Sequence, residues 1–414
     1  MAEAVLTLES HADRWTSTTI APLVACGVGN IVSSTAMINC TFSAFLVPVT
    51  TTLGWERSQF SFVLTLISLI GIFAYPAAGR LMETVGARPV VLTGNLLFGL
   101  SFMALRWMPA HLAVVYLLFA LVGLAAALPS TVLLARVAST WFHHKRGVAL
   151  AFSTGLAIGA GGTFMSILSQ YLIDVVQWRD AYFALGALII ALGFPVMFLF
   201  LREAPDYRSG SERAAPLPGL RFTEALRGAN FWKLLFLVAM GAGALTALAT
   251  HLTALLGDHG VSTTVAAATL ATISFTNAGW QIVLGHILDR SRSPWLAAPF
   301  ILIGIVGVLI IGASHHPSSI LFGGFLAGIG TGTEYGLLPF CMPRYFGFRS
   351  YGVVYGWIYG ATMLVSGVTP YLMDLIYEAA GSYHLAIALI GLALAACAAL
   401  VASLPRYRFG AKVT

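Results

Sequence analysis

Long apolar runs alternate with short polar breaks from about residue 20 to residue 404. A membrane span needs ~20 mostly apolar residues to cross ~30 Å of hydrocarbon. On that measure the pattern predicts helices over 20–47, 60–82, 89–107, 112–138, 148–173, 181–201, 232–256, 262–287, 295–313, 318–341, 352–376 and 384–404. Only helices and closed barrels satisfy every backbone polar group in lipid, and runs of this length are too long for barrel strands. The expected fold is therefore an all-α membrane protein of twelve transmembrane helices. The ninth and tenth spans share one charge-free stretch, divided only by Ala313-Ser314-His315-His316-Pro317-Ser318-Ser319.

Polar punctuation divides the twelve into six and six. Residues 202–216, which contain Arg202, Glu203, Asp206, Arg208, Glu212 and Arg213, form the single long polar segment inside the chain, followed by a short amphipathic piece to about Ala229. The expected organisation is an N-terminal half over 1–201, a linker over 202–230 and a C-terminal half over 231–414. A repeat straddles that linker. Gly79-Arg80-Leu81-Met82-Glu83-Thr84-Val85-Gly86-Ala87-Arg88-Pro89 follows the second span, and Gly285-His286-Ile287-Leu288-Asp289-Arg290-Ser291-Arg292-Ser293-Pro294 follows the eighth. In both, a Gly ends an apolar run, an acid follows four residues on, and basic residues and a Pro come next. Glycine lets two helices approach closely, and the acid and bases can lock them by charge pairing. A second echo joins Trp141-Phe142-His143-His144-Lys145-Arg146-Gly147 to Tyr345-Phe346-Gly347-Phe348-Arg349-Ser350-Tyr351-Gly352.

Composition agrees with a chain solvated by lipid. Charged residues make up 9% and hydrophobic ones 58%, with mean hydropathy +0.86, against about 25% charged in a soluble domain. The formal charge of +6 follows membrane topology and is not read as affinity for nucleic acid. With the N-terminus inside, Arg57, Arg106 and Arg179 fall outside and the other nineteen basic residues inside or at the inner edge. The positive-inside rule then places both termini in the cytoplasm. Cys26, Cys40, Cys341 and Cys397 all lie in apolar runs, which argues against a disulfide framework or a metal site. Residues 1–19 lack the basic start and cleavage pattern of a signal peptide, so the first apolar run is expected to be a retained helix. No P-loop appears, which removes the sequence basis for ATP-driven pumping, and no enzymatic constellation or cofactor is implied. His143-His144 has no acid or Cys beside it and is read as a solvated turn.

The duplicated loop resembles the loop between helices two and three of major facilitator superfamily transporters, repeated between helices eight and nine. That family usually carries an Asp and a second basic residue where this chain has Glu83 and Thr84. Leu53-Gly54-Trp55-Glu56-Arg57-Ser58, Gly159-Ala160-Gly161-Gly162, Gln177-Trp178-Arg179-Asp180-Ala181, and Thr333-Glu334-Tyr335 through Arg344-Tyr345-Phe346-Gly347 resemble segments of its monocarboxylate-porter-like and oxalate/formate-antiporter-like members. The Asp-Gly signature of animal monocarboxylate porters in helix one is absent. The resemblance implies two parallel six-helix halves with a substrate site near the membrane midplane, in a plasma (bacterial inner) membrane. The repeated motif marks Gly79, Arg80, Glu83, Arg88, Asp289 and Arg290 as gating residues.

Ionisable residues within a span are costly and are functional hypotheses by default. Glu334 is the single acid well inside a predicted helix. Burial disfavours its charged form, which suits a proton-coupling group; the alternative is a structural acid paired with Arg344 or Arg290. His251 could donate to an anion or take a proton near neutral pH, or be a hydrogen-bonded core residue. Asn277 and Gln281 lie four apart and share a helix face, with Trp280 beside them. Monocarboxylate porters place an Asp and an Arg about here and oxalate antiporters an Arg, and the eleventh span has no Lys or Arg in its body, so a compact dianion would lack its partners. Neutral amides can still bind a carboxylate by donating N–H. Gly352, Gly356 and Gly360 form a small-residue ridge, with Tyr355 and Tyr359 alongside. That stripe either faces a cavity or packs on the second helix. Asn30, Ser34 and Asn39 in the first helix are expected to line the cavity, because facing lipid would leave them unsatisfied. Arg136 either snorkels to the inner surface or draws an anion to the inner mouth.

The reading is a secondary active transporter, acting as a monomer in the lipid bilayer, that moves a small organic acid (a monocarboxylate or aromatic carboxylate) with a proton by alternating access. The alternatives are a proton-coupled exporter of an amphipathic compound and a non-transporting membrane receptor.

Overall fold

A helix bonds its own backbone, so apolar runs in lipid have no cheaper solution. The computed structural model describes residues 16–142, 145–204 and 218–409, and among these residues all regular elements are helical. The His143-His144 turn and most of the polar linker lie outside them. Twelve long helices run in order: α1 over 17–53, α2 Arg57–Val85, α3 Ala87–Trp107, α4 Leu112–Trp141, α5 over 146–176, α6 over 178–200, α7 Ala229–Asp258, α8 Thr263–Asp289, α9 Pro294–Ala313, α10 Pro317–Tyr345, α11 Tyr351–Ala380 and α12 His384–Ala402. Most extend the predicted spans by a few residues, because helical bonding continues past the last apolar side chain. The α9–α10 break falls at Ala313–Pro317, and Pro317, without an N–H to leave unpaired, starts the new helix.

Two features are invisible to a 3.6-residue period. Helices α5 and α6 meet at Gln177, whose φ of 66° is the one positive value on a non-Gly residue among the described residues. Trp178 Nε1 donates to Thr52 Oγ1 at 3.1 Å, and Arg179 donates to the carbonyls of Arg106 and Met108 at 3.0 and 2.7 Å. Those bonds hold the corner. Widened π segments interrupt α1 at Thr35–Asn39, α5 at Ala151–Leu156 and α6 at Ile189–Gly193, a device found mostly at functional sites.

Helices α8, α10 and α11 fall outside the group long and apolar enough by composition to cross a membrane. They carry Asn277, Trp280, Gln281, Glu334, Tyr355 and Tyr359, part of the set that the sequence marks for transport. The chain divides into two units. One runs to Gly219 and takes in Phe348–Gly360, and its core is built on aromatic pairs such as Phe45–Tyr182, stacked at 3.8 Å. The other comprises Leu220–Gly347 and the chain from Ala361; there α9 and α10 meet backbone to backbone, with a Cβ on Gly304 falling 2.6 Å from Gly330 Cα. The first turns of α11 thus pack in the first unit, whereas the sequence division assigned the whole helix to the second half.

Candidate functional site

Within the first unit, the glycine ridge of α11 lies against α2. A Cβ on Gly79 would overlap the Gly352 carbonyl, one on Gly356 would come 2.6 Å from Pro76 N, and one on Gly360 2.9 Å from Ile72 Cα. The ridge therefore packs on the second helix backbone to backbone. Glu83 completes the seam: its Oε1 accepts the Val353 N–H at 3.2 Å. Val353 lies in the first turn of α11, whose N–H groups have no partner within the helix. A carboxylate there meets the positive end of the helix dipole, which Asp or Glu can supply equally. Arg80 is exposed. Arg88 turns the other way, donating to the Phe198 carbonyl at 2.6 Å and so tying α3 to α6.

Arg136 departs from both sequence readings. It neither snorkels nor opens to a mouth: it is 1% exposed and pairs with Glu203 at 3.8 Å. Glu203, read from sequence as part of a polar linker, is itself buried, and its Oε2 accepts the Ala87 N–H at 3.5 Å. An acid just beyond a helix end gave no sign that it folds back under the bundle.

Tyr75, Tyr359, Tyr355 and Tyr351 form an edge-to-face ladder, with successive centroids 4.9, 6.3 and 5.6 Å apart. The Tyr75 hydroxyl reaches Ser34, and the Tyr359 hydroxyl reaches Thr35 and Thr131. Asn30 is fully buried and its amide is engaged on both sides. Nδ2 donates to the carbonyls of Cys26 (3.1 Å) and Ser153 (2.8 Å), while Oδ1 accepts from Thr131 Oγ1 at 2.7 Å. It therefore bolts α1 to α4 and α5. Asn39 ends the π segment of α1 and is exposed.

In the second unit Glu334 is 0% exposed, and neither carboxyl oxygen has a hydrogen-bond partner among the described residues. Its side chain fills the notch at Gly241 of α7, where an added Cβ would come 2.6 Å from its Cγ. The structural alternative, pairing with Arg344, does not occur. Arg344 donates to Asp289 Oδ1 at 3.2 Å and to the Leu288 carbonyl at 3.0 Å, clamping the end of α8 to α10, and Arg290 is exposed. Gln281 Nε2 donates to Asn277 Oδ1 at 2.9 Å. Trp280 Nε1 donates to Thr333 Oγ1 at 2.9 Å, one residue from Glu334. His251 Nε2 lies 2.7 Å from Asp374 Oδ1 of α11. Sequence reasoning missed Asp374, although it falls within the predicted span 352–376.

The family model described as Major Facilitator Superfamily matches residues 27–370. An MFS-type transporter of Aspergillus terreus, pytF, is 25% identical over 245 residues, 57% of this chain and 78% of that protein. Human monocarboxylate transporter 11 is 28% identical over 235 residues, 55% of this chain but 47% of that protein's length. Among solved structures, the human organic anion transporter MFSD10 superposes with TM-score 0.74 at 17% identity, over 93% of this chain and all of that one. The E. coli fucose:proton symporter FucP gives 0.67 at 17% over 93% and 98%. At such identity these structures speak for the fold alone. Twelve long helices among the described residues, a loop motif that occurs twice and this match over most of the sequence lead to one conclusion: the chain belongs to the major facilitator superfamily of membrane transporters.

Proposed function

We propose that the chain is a proton-coupled secondary transporter of a small organic acid, with its termini in the cytoplasm. The observation that carries the reading is Glu334. A carboxylate without partners in a dry interior costs several kcal/mol, so its stable form there is the neutral acid. Such a group can take a proton on one side and release it on the other as access alternates. The dipole-matched contact between Glu83 and the start of α11 serves as the latch that closes one side. In the second unit the amide pair and Trp280, and in the first unit the tyrosine ladder, each offer hydrogen bonds and aromatic surface but little positive charge. That chemistry fits an aromatic or aliphatic monoacid better than a compact dianion, and the relatives named monocarboxylate transporters agree. Arg106 pairs with Asp180 at 3.0 Å and Arg179 donates to the Arg106 carbonyl, so two of the arginines expected outside share one corner, as this orientation requires.

The test is uptake into proteoliposomes across a panel of labelled mono- and aromatic carboxylates, with and without an inward proton gradient. Gradient-driven accumulation that disappears in Glu334→Gln while counterflow persists is the expected result. Uptake of no acid, with exchange of neutral or amphipathic compounds instead, would replace this reading with proton-coupled export of an amphipathic compound.

A further inference from the structure

An open slot of about 240 Å³ runs along the second unit between α7, α11 and α12. Its wall is apolar, with Met240, Ala244, Val365, Met373 and Ala393 among its residues, and Thr369 is its one polar member. The Thr369 hydroxyl donates to the Gly243 carbonyl at 2.8 Å, so the wall's single hydroxyl is already spent. On α11 the slot reaches from Val365 to Ile376, about 16 Å of helix rise. Leu372 and Leu389 line it while 47% and 44% exposed, and Val368, Leu375, Leu385 and Leu392 near them are exposed as well. On membrane helices, a mouth framed by exposed leucines opens onto hydrocarbon. Water finds no partner there: even a closed apolar cavity of ~150 Å³ stays dry and takes benzene instead. A flexible alkyl chain suits an open, elongated one.

Polar groups stand just past one end of the slot on all three helices. On α7, His251 lies one turn beyond the lining Ala247, with Nδ1 3.1 Å from the Ala247 carbonyl. On α11, Asp374 and Tyr377 directly follow the lining Met373 and Ile376. On α12, Tyr383 and His384 precede the lining Ala386. Asp374 Oδ1 lies 2.7 Å from His251 Nε2, and its side chain is 58% exposed. A carboxylate has about four acceptor sites, so Asp374 can take further donors. The Tyr377 hydroxyl reaches Asp258 at the end of α7, and the Tyr377 and Tyr383 rings stand 4.4 Å apart. Glu378 is exposed beside them. No Lys or Arg occurs in residues 234–289, 293–343 or 350–405; Lys233 and Arg344 hold the opposite end, bonded to the Ser403 and Leu288 carbonyls. Finally, α12 starts here at His384 without a side-chain cap, and the first N–H groups of a helix, unpaired within it, favour phosphate.

From this placement we propose that the α7–α11–α12 slot binds one acyl chain of a membrane phospholipid whose zwitterionic headgroup ends in a primary ammonium. The chain lies along Val365–Ile376. The ammonium meets the carboxylates of Asp374 and Asp258, with the half-buried Tyr377 ring offering a face that attracts a cation. The phosphate sits over the start of α12. A headgroup with net negative charge would meet three carboxyl groups there and no Lys or Arg. Such a site stands whether or not Glu334 carries a proton.

The experiment reconstitutes the full chain in vesicles of phosphatidylethanolamine and phosphatidylglycerol. Each vesicle set carries a trace of one of these two lipids with a photoactivatable diazirine midway along an acyl chain. Labelled peptides are mapped by mass spectrometry. The ethanolamine probe should label peptides of the slot, such as those holding Leu372 and Leu389, at least fivefold more than the glycerol probe. Ala393→Phe, which fills the slot, should cut that labelling at least fivefold, while Leu302→Phe on the exposed face of α9 leaves it unchanged. Asp374→Asn alters an exposed side chain and serves if Ala393→Phe fails to fold; it should bring the ethanolamine probe down to the level of the glycerol probe. Equal slot labelling by the two probes, or labelling indifferent to Ala393→Phe and Asp374→Asn in folded protein, overturns the site. Displacement of the label by the carboxylates of the uptake panel would give the slot to transported substrate, and an unlabelled slot in a chain that runs as a dimer would give it to a second copy; either result overturns it too.

Discussion

Replacing Gly79 with Ala puts one methyl group where α2 and the start of α11 touch backbone to backbone. The new Cβ would overlap the Gly352 carbonyl and stand 2.8 Å from Val353 N. Neither neighbour is a flexible side chain, so the helices themselves must part. Overpacking of this kind costs about 1–3 kcal/mol. If opening the seam relieves the whole of it, the open-to-closed ratio rises roughly 5- to 150-fold, at tenfold per 1.4 kcal/mol. Met82 is fully buried beside Gly352, so Met82→Cys, with the four native cysteines replaced by Ala, reports opening through its rate of maleimide labelling. Gly79→Ala should raise that rate by at least fivefold. Gly159→Ala, where an added Cβ meets nothing within 4 Å, should not change it. An unaltered labelling rate together with an unaltered melting temperature would show that the seam is not close-packed and would refute the reasoning.

Asn30→Ala removes three bonds at once and leaves the buried Ser153 carbonyl without this donor. A loss of about 1–3 kcal/mol should lower the thermal midpoint in detergent with substrate affinity little changed; weakened binding at an unchanged midpoint would instead mark Asn30 as a ligand. Arg344→Ala removes the guanidinium that donates to Asp289 Oδ1 at 3.2 Å, and breaking such a buried pair costs about 3–5 kcal/mol. Expression and monodispersity should collapse, and adding Asp289→Asn should recover much of the loss; a double variant no better than the single would deny that the charge is the cause.

Helix number and boundaries were readable because in lipid the apolar run and the helix are the same object. The candidate chemistry was readable in part for a related reason. Glu334, His251, Asn277 and Gln281 stand out against a composition that otherwise avoids polarity, and α8, α10 and α11 are where that avoidance is relaxed. What escaped was pairing. Asp374 sits near a span end, where an acid is cheap, and nothing in one strand of sequence says that a histidine 123 residues earlier faces it. Glu203 looked solvated because its neighbours are polar, yet it turns back to Arg136. The π segments escaped because an extra residue in a turn leaves composition untouched. Asn30 was expected to line a cavity, and nothing in its own segment shows that helix carbonyls and a threonine meet its amide.

The glycine seam between α2 and α11 has a kinetic side. Ordinary helix interfaces mesh like gear teeth, and separating them requires side chains to withdraw from sockets and choose new rotamers. At Gly79, Pro76 and Ile72 the opposing surface is mostly bare backbone, held by many shallow contacts each worth well under about 1 kcal/mol. Such a joint is smooth. It can be firm when shut, because the contacts are numerous, and still part and re-form with little friction, because nothing has to be re-threaded. Such a seam opens and shuts faster than a meshed interface of equal depth.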